Sequence, residues 1–166
     1  ARFTEEEKTL RRIEKRFSKG MVEYGLIEDG DRILIGLSGG KDSLALVELL
    51  ARRARVFKPK FSVVAVHVVM KNIPYQSDAE YLRNFAESWG VPFVLYETEF
   101  DASTDTRKSP CFLCSWNRRK ALFTVEEFYK LKIVVQLFIW FQERKFAENK
   151  NFIMNKLSRY RKLRYN

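Results

Sequence analysis

Between Arg32 and Arg53 an apolar run, Arg32-Ile33-Leu34-Ile35-Gly36-Leu37, meets the turn Ser38-Gly39-Gly40 and emerges as a helical pattern from Asp42 to Arg53. Few architectures accommodate that succession. Leu44, Leu46, Val47, Leu49 and Leu50 supply the buried side of the helix, and a strand that is apolar without alternation is the kind covered on both faces of a parallel sheet. Strand, glycine turn and helix together open a βα unit. The alternation continues: Phe61 to Met70 is β-branched and apolar, Ser77 to Trp89 is helical and ends at Gly90, and Val91 to Tyr96 reads as a third strand. The expected architecture is α/β, a doubly wound, mostly parallel, Rossmann-like sheet with its ligand at the carboxyl ends of the strands.

Ahead of this unit, Leu10, Ile13, Phe17, Met21 and Tyr24 recur at helical spacing over residues 4–24, with Thr4 and Glu7 as a capping box. Gly25 and Glu28-Asp29-Gly30-Asp31 interrupt that helix. Behind it, Asp101 to Pro110 is a polar loop, Cys111 to Phe123 looks helical, and Phe128 to Phe141 fits either a strand or a buried helix. From Phe152 onward Ile153, Leu157, Tyr160 and Leu163 fall at helical spacing among Lys and Arg.

The chain of 166 residues suits one domain. Its longest apolar stretch, near Ile133–Phe141, is far shorter than the roughly 20 residues that span a bilayer, and its first residues lack the apolar core of a secretory signal. A soluble, cytoplasmic protein with no membrane partner is the expectation. The formal charge of +10 favours polyanions, nucleic acid first. Residues 125–166 carry 10 of the 31 basic side chains and 4 of the 21 acidic ones, so the last quarter holds more than half of the excess. The competing reading of such a tail is a solvated charged face.

Two glycines after a strand let the backbone turn sharply and bring amides close to an anion, and the following helix adds its positive end. Ser38 and Ser43 can donate hydroxyl protons to phosphate oxygens, and Lys41 can neutralise charge. Asp42 suits a phosphate site if it caps the helix or helps hold a Mg²⁺ ion. A Walker A loop would place glycine at 35 and Ser or Thr at 42, where this chain has Ile35 and Asp42. Ser38-Gly39-Gly40-Lys41-Asp42-Ser43 resembles instead the SGGxDS signature of the PP-loop ATP pyrophosphatases. The resemblance implies the adenine nucleotide alpha hydrolase-like fold, binding of ATP with Mg²⁺, cleavage between the α and β phosphates, and activation of a carbonyl as an adenylate. It further implies that the end of the second strand, His67 to Met70, reads adenine through backbone groups. The plainer reading of His67 is a core or rim histidine.

Cys111 and Cys114 form a CxxC pair followed by Arg118, Arg119 and Lys120. A thiolate near a helix N-terminus and beside cations is stabilised as ligand or nucleophile, and Cys114 is the better placed of the two. A structural zinc half-site, a redox pair and inert thiols stay open on this pattern alone; zinc needs four ligands, and the chain has two Cys and one His. The segment Ser109 to Arg119 is similar to that of the tRNA 2-thiocytidine synthetase, or TtcA-like, branch of the superfamily. That similarity runs from the opening helix to Phe123. It implies adenylation of a cytidine in the tRNA anticodon loop, sulfur delivery through a cysteine-bound [4Fe-4S] cluster from a donor protein or sulfide, and phosphate contacts by Arg118, Arg119 and Lys120. Other superfamily ligases, tRNA lysidine synthetase among them, need the loop but no cysteines, and a further alternative is a non-catalytic nucleotide- or RNA-binding remnant.

The TtcA-like pattern continues with a glycine-histidine-histidine segment, paired aspartates and a third cysteine, all absent here. The expected organisation is therefore an ATP-binding domain over 1–124 and a basic, aromatic segment over 125–166 without family resemblance, arising from truncation or a frameshift near residues 124–127, or else a divergent RNA-binding extension. Two cysteines do not supply three protein ligands to a cluster, and a homodimer would have to share them.

Overall fold

The computed structural model describes residues 3–23, 25–73, 77–101, 103, 109–129 and 132–133; within 110–133 the side chains described are those of 112–125. Most of the apolar stretch to Phe141 and the basic pattern from Phe152 lie outside these residues. The elements in chain order are α1 (Glu5–Glu23), β1 (Arg32–Gly36), α2 (Lys41–Ala54), β2 (Ser62–Met70), α3 (Ala79–Ser88), β3 (Phe93–Thr98), α4 (Pro110–Tyr129) and β4 (Lys132–Ile133).

The capping box at the head of α1 is formed in both directions: Glu7 N–H donates to Thr4 Oγ1 over 3.2 Å and Thr4 N–H to Glu7 Oε2 over 2.8 Å. The strands form one sheet in the order β3-β2-β1-β4, and every pairing is parallel. Ile33, Leu34, Ile35 and Leu37 are fully buried, as a strand covered on both faces requires. Leu34 joins Val66, Val68 and Met70 in a cluster with Ala121, Leu122 and Val125 of α4. Pleating sends Ile33 and Ile35 to the opposite face, where α2 covers β1 and β2 with Leu46, Val47, Leu49 and Leu50. Each such side chain contributes about 1.5–3 kcal/mol through burial.

Two of the boundaries that differ from the sequence reading have a plain physical cause. The third strand starts at Phe93 rather than Val91, because Val91 N–H bonds to Ala86 O and Gly90 N–H to Glu87 O, so both residues close α3. The CxxC helix does not stop at Phe123 but runs to Tyr129, since Val125 adds a further buried position after Ala121 and Leu122.

Topology places the ends of these elements. β3 finishes at Thr98, and β4 pairs parallel to β1. The intervening α4 therefore returns from the carboxyl edge of the sheet to the amino edge. Its first turn, with Cys111, lies at the carboxyl edge where β1 delivers Ser38-Gly39-Gly40.

Candidate functional site

β1 releases the chain at Leu37, whose N–H makes a last sheet-like bond to Val66 O at 2.7 Å and whose carbonyl accepts from His67 Nδ1 at 2.7 Å. Ser38, Gly39, Gly40 and Lys41 are exposed; Asp42 and Ser43 are half-buried. Gly39 adopts φ +86°, a left-handed conformation that side chains with a Cβ rarely take. A hydroxyl network holds the turn: Ser43 Oγ donates to Gly40 O at 2.8 Å and accepts from Ser38 N–H at 3.3 Å, and the two hydroxyls lie 3.2 Å apart. Each hydroxyl has one proton. With Ser43 donating to Gly40 O and Ser38 to Ser43, both hydroxyl protons are used within the loop in this structure.

α2 starts at the N-cap Gly40 without a side-chain cap, so Asp42 does not cap the helix. Among the described residues the N–H groups of Gly39, Lys41 and Asp42 meet no protein acceptor. Three free amides at a glycine turn, joined to the positive end of a helix of 14 residues, make a cradle for an anion. Lys41, exposed at the first position of α2, adds a positive charge on the same turn. The donor set fits a polyphosphate with Mg²⁺: one half-buried carboxylate, Asp42, is enough where phosphate oxygens and water complete the octahedron.

His67 is buried, and both ring nitrogens are engaged, Nδ1 with Leu37 O and Nε2 with Ser77 Oγ at 2.7 Å. A carbonyl only accepts, so Nδ1 carries the proton and Ser77 donates to Nε2. The ring thus braces the phosphate loop from beneath, and its side chain is not turned toward a ligand. Met70 is also buried, in the cluster under α4, so only the main chain of β2 faces the edge at that point. Ser77 and Asn72 escaped the sequence reading. The Asn72 side chain donates to Phe100 O and accepts from Phe100 N–H, tying the connection after β2 to the one after β3. Polar residues in connections give no periodic signal.

Cys111 lies in the first turn of α4 and Cys114 one turn later. Cys114 is a free thiol, half-buried against the cluster of Leu34, Val66, Val68 and Met70. Arg119 and Lys120 are exposed and Arg118 is half-buried. Among the described residues no group of three or more His, Cys, Asp or Glu side chains could hold a metal ion, and none of the helices is long and apolar enough to cross a membrane. The two cysteines of this sequence could supply at most two of the protein ligands of an iron–sulfur cluster, so a cluster held here would need further ligands from outside these residues.

The profile of the PP-loop domain family matches residues 6–110. The tRNA-cytidine(32) 2-sulfurtransferase of Bordetella avium is 34% identical over 125 residues, which make up 72% of this chain and 39% of that protein. The enzyme of the same name from Cytophaga hutchinsonii is 34% identical over 139 residues, 80% of this chain and 47% of that protein. This chain thus spans less than half the length of these relatives. The structure is similar to that of the U34-tRNA thiolase NcsA from Methanococcus maripaludis with its [4Fe-4S] cluster, with a TM-score of 0.61 and 25% identity over 75% of this chain and 44% of that one.

Proposed function

This chain belongs to the PP-loop domain family, and on that premise we propose that it takes part in ATP-dependent thiolation of a cytidine in tRNA. The observation that carries the reading is the common edge: the free amides after β1 and the CxxC at the head of α4 open on the same end of the sheet. The amides of Gly39, Lys41 and Asp42 receive ATP phosphates, Lys41 neutralises charge that builds on them, and Asp42 holds Mg²⁺. Main-chain groups at the end of β2, between His67 and Met70, face the adenine. The base carbonyl oxygen attacks the α-phosphorus and pyrophosphate leaves. Sulfur at the oxidation level of sulfide, supplied by a donor protein or free sulfide, then bonds to the carbon, and AMP departs with the oxygen.

Cys111 and Cys114 handle that sulfur. A cluster held here would draw its remaining protein ligands from outside these residues, so no step is assigned to it. Arg118, Arg119 and Lys120 meet tRNA phosphates, and the basic segment 125–166 adds to the attraction. The compact domain is the ATP-binding part.

The test is pyrophosphate release from ATP with tRNA present, paired with mass spectrometry of the tRNA nucleosides. Replacing both cysteines with serine is expected to leave pyrophosphate release in place and to abolish 2-thiocytidine. A sulfur-free product formed equally by the unaltered chain and the double variant would assign the chain to a lysidine-type or amidating ligase, unchanged 2-thiocytidine from the double variant would remove the cysteines from sulfur handling, and no pyrophosphate from the unaltered chain would remove the enzymatic reading.

A further inference from the structure

β3 stands at the end of the sheet, paired with β2 on one side. Pro92 O accepts from Ala65 N–H and Thr98 O from Lys71 N–H, each at 2.9 Å. The amide and carbonyl of a strand residue point to one side, and successive residues alternate. Positions 92, 94, 96 and 98 therefore spend their main-chain groups on β2. Phe93, Leu95 and Glu97 turn theirs to the open edge, and among the described residues nothing receives them. Proteins usually blunt such an edge with a lysine, a proline or a bulge. Phe93-Val94-Leu95-Tyr96 carries no charge and no proline, its register with β2 is unbroken, and Leu95 is 38% exposed.

The side chains of this edge complement themselves. Arg83 of α3 lies over the Phe93 ring at 4.9 Å, so Phe93, Leu95 and Glu97 share the face that α3 covers. Antiparallel pairing of two copies centred on Leu95 sets Leu95 against itself, Phe93 against Glu97 and Val94 against Tyr96. Each outward residue then exchanges two main-chain hydrogen bonds with its opposite. Phe93 opposite Glu97 brings that carboxylate toward Arg83, whose own ion pair with Glu87 is long, at 3.8 Å. Glu97 keeps Lys71 beside it at 2.9 Å. The charges along each end of the ladder thus run Glu87, Arg83, then Glu97 and Lys71 of the second copy, alternating in sign. Other registers lose this fit. Moving the centre toward Glu97 sets Leu95 against a carboxylate and then Glu97 against itself. Moving it toward Phe93 draws in Val91, whose amide is committed to Ala86 O.

We propose that β3 is a self-pairing edge, through which two copies of this chain join their sheets about a two-fold axis at Leu95. α3 packs over both β2 and β3, so its counterpart in the second copy comes to about 10 Å, an ordinary distance for packed helices. The paired strands run in opposite directions, and the phosphate loop and CxxC turn of the two copies consequently lie at opposite ends of the joined sheet. This contact leaves each copy its own ATP site, and it does not let one copy complete a metal site at the other's cysteines.

The full chain is examined by sedimentation equilibrium over a range of concentrations at about 0.15 M salt, where a Debye length of about 8 Å screens the net charge of each copy. A dimer is expected. Leu95→Lys should weaken it about tenfold or more while leaving ATP binding unchanged. Arg83→Glu and Glu97→Arg should each weaken self-association about three- to tenfold, and an equimolar mixture of the two should regain it, because both contacts of the mixed pair again join opposite charges. Hydrogen exchange reads the backbone without any substitution: the Leu95 and Glu97 amides should exchange more slowly as concentration rises, and the Val94 and Tyr96 amides, already bonded to β2, should change little. A chain that stays monomeric throughout, or a dimer in which the Leu95 and Glu97 amides exchange as fast as in the monomer, would overturn the proposal. A mixture that associates no better than its components would overturn the register centred on Leu95. None of these readouts depends on tRNA or on sulfur transfer, so their outcome and that of the thiolation reading are separate.

Discussion

His67 Nδ1 donates to the carbonyl of Leu37 across 2.7 Å, so the second strand holds the last residue of the first at the point where the phosphate loop begins. Leu37 is itself fully buried, and its carbonyl has no water to turn to if the imidazole is removed. His67→Phe fills the space but leaves that carbonyl and the Ser77 hydroxyl without their partner. The expected cost is about 1–3 kcal/mol for each buried group left unpaired, together with weaker ATP binding as Ser38 and Gly39 lose their support. Ser77→Ala keeps the Leu37 bond and is expected to cost about 1 kcal/mol, with little effect on ATP. Chemical denaturation and nucleotide titration of both variants check this. Equal ATP affinity in His67→Phe would show that the ring does not brace the loop.

The two loop glycines are expected to behave differently. Gly39 sits at φ +86°, and a Cβ there would meet Leu82 Cδ2 at 3.6 Å, an ordinary contact, so the cost of Gly39→Ala is backbone strain of about 1–2 kcal/mol. Gly40 has φ −71°, and a Cβ on it would come to 3.6 Å from Ser38 Oγ, so Gly40→Ala is expected to leave stability within about 0.5 kcal/mol. Gly39→Ala should also weaken ATP binding, because relieving the strain swings its free amide away from the cradle. Melting curves and titration calorimetry of the pair measure both effects; identical behaviour of the two variants would contradict this account of the turn.

Much of this arrangement is legible in the sequence because it is periodic or compositional. The unbroken apolar run at Ile33–Leu37 announces a strand covered on both faces, and the Thr4–Glu7 spacing announces the cap that the structure forms. The loop is legible because glycine and the adjoining helix leave few other geometries. What is not legible depends on partners far along the chain. His67 could be read as a ligand or as core until Leu37 and Ser77 were found on its two nitrogens, and those residues lie 30 and 10 positions away. The start of β3 is hidden for a related reason: Val91 is as strand-like as Val94, but its amide is used to close α3. The end of α4 is set by Val125 reaching a cluster assembled from β1 and β2, which no pattern within residues 111–129 specifies.

Two groups at the carboxyl edge define a pH window. Asp101 accepts from both the hydroxyl and the amide of Ser103, which holds its carboxyl below the usual value of 3.8. A depressed carboxylate adds stability that is present above the unfolded value and is lost as pH falls through the folded one, so this turn loosens only below about pH 4. Lys71 has the opposite sign: its hydrogen bond and ion pair with Glu97, at 2.9 Å, raise it above 10.5, and that contribution is present below 10.5 and is lost as pH rises through the folded value. Neither group changes charge near neutrality. Following the Ser103 amide by NMR through an acid titration should give a midpoint below 3.8, and a midpoint at or above it would contradict the turn geometry.

Lys41 and Asp42 separate ligand binding from folding. Lys41 is exposed, and among the described residues no carboxylate pairs with it. Lys41→Ala should therefore leave the denaturation midpoint unchanged. A charge-assisted bond to phosphate contributes about 1.5–3 kcal/mol, so the same variant should lose ATP affinity by roughly ten- to a hundredfold, and Lys41→Arg should recover part of it. Asp42 makes no cap bond, so Asp42→Asn should also spare the fold. Its effect should appear only with Mg²⁺ present: without the ion, removing a negative charge beside the phosphates strengthens binding slightly, and with it a metal ligand is lost and binding weakens. Calorimetric titrations of ATP with and without Mg²⁺ therefore distinguish a metal-holding carboxylate from a bystander by the sign of the change. An Asp42→Asn variant that responds to Mg²⁺ as the unaltered chain does would remove Asp42 from the metal site and leave the amide cradle and Lys41 as the whole of the phosphate-binding apparatus.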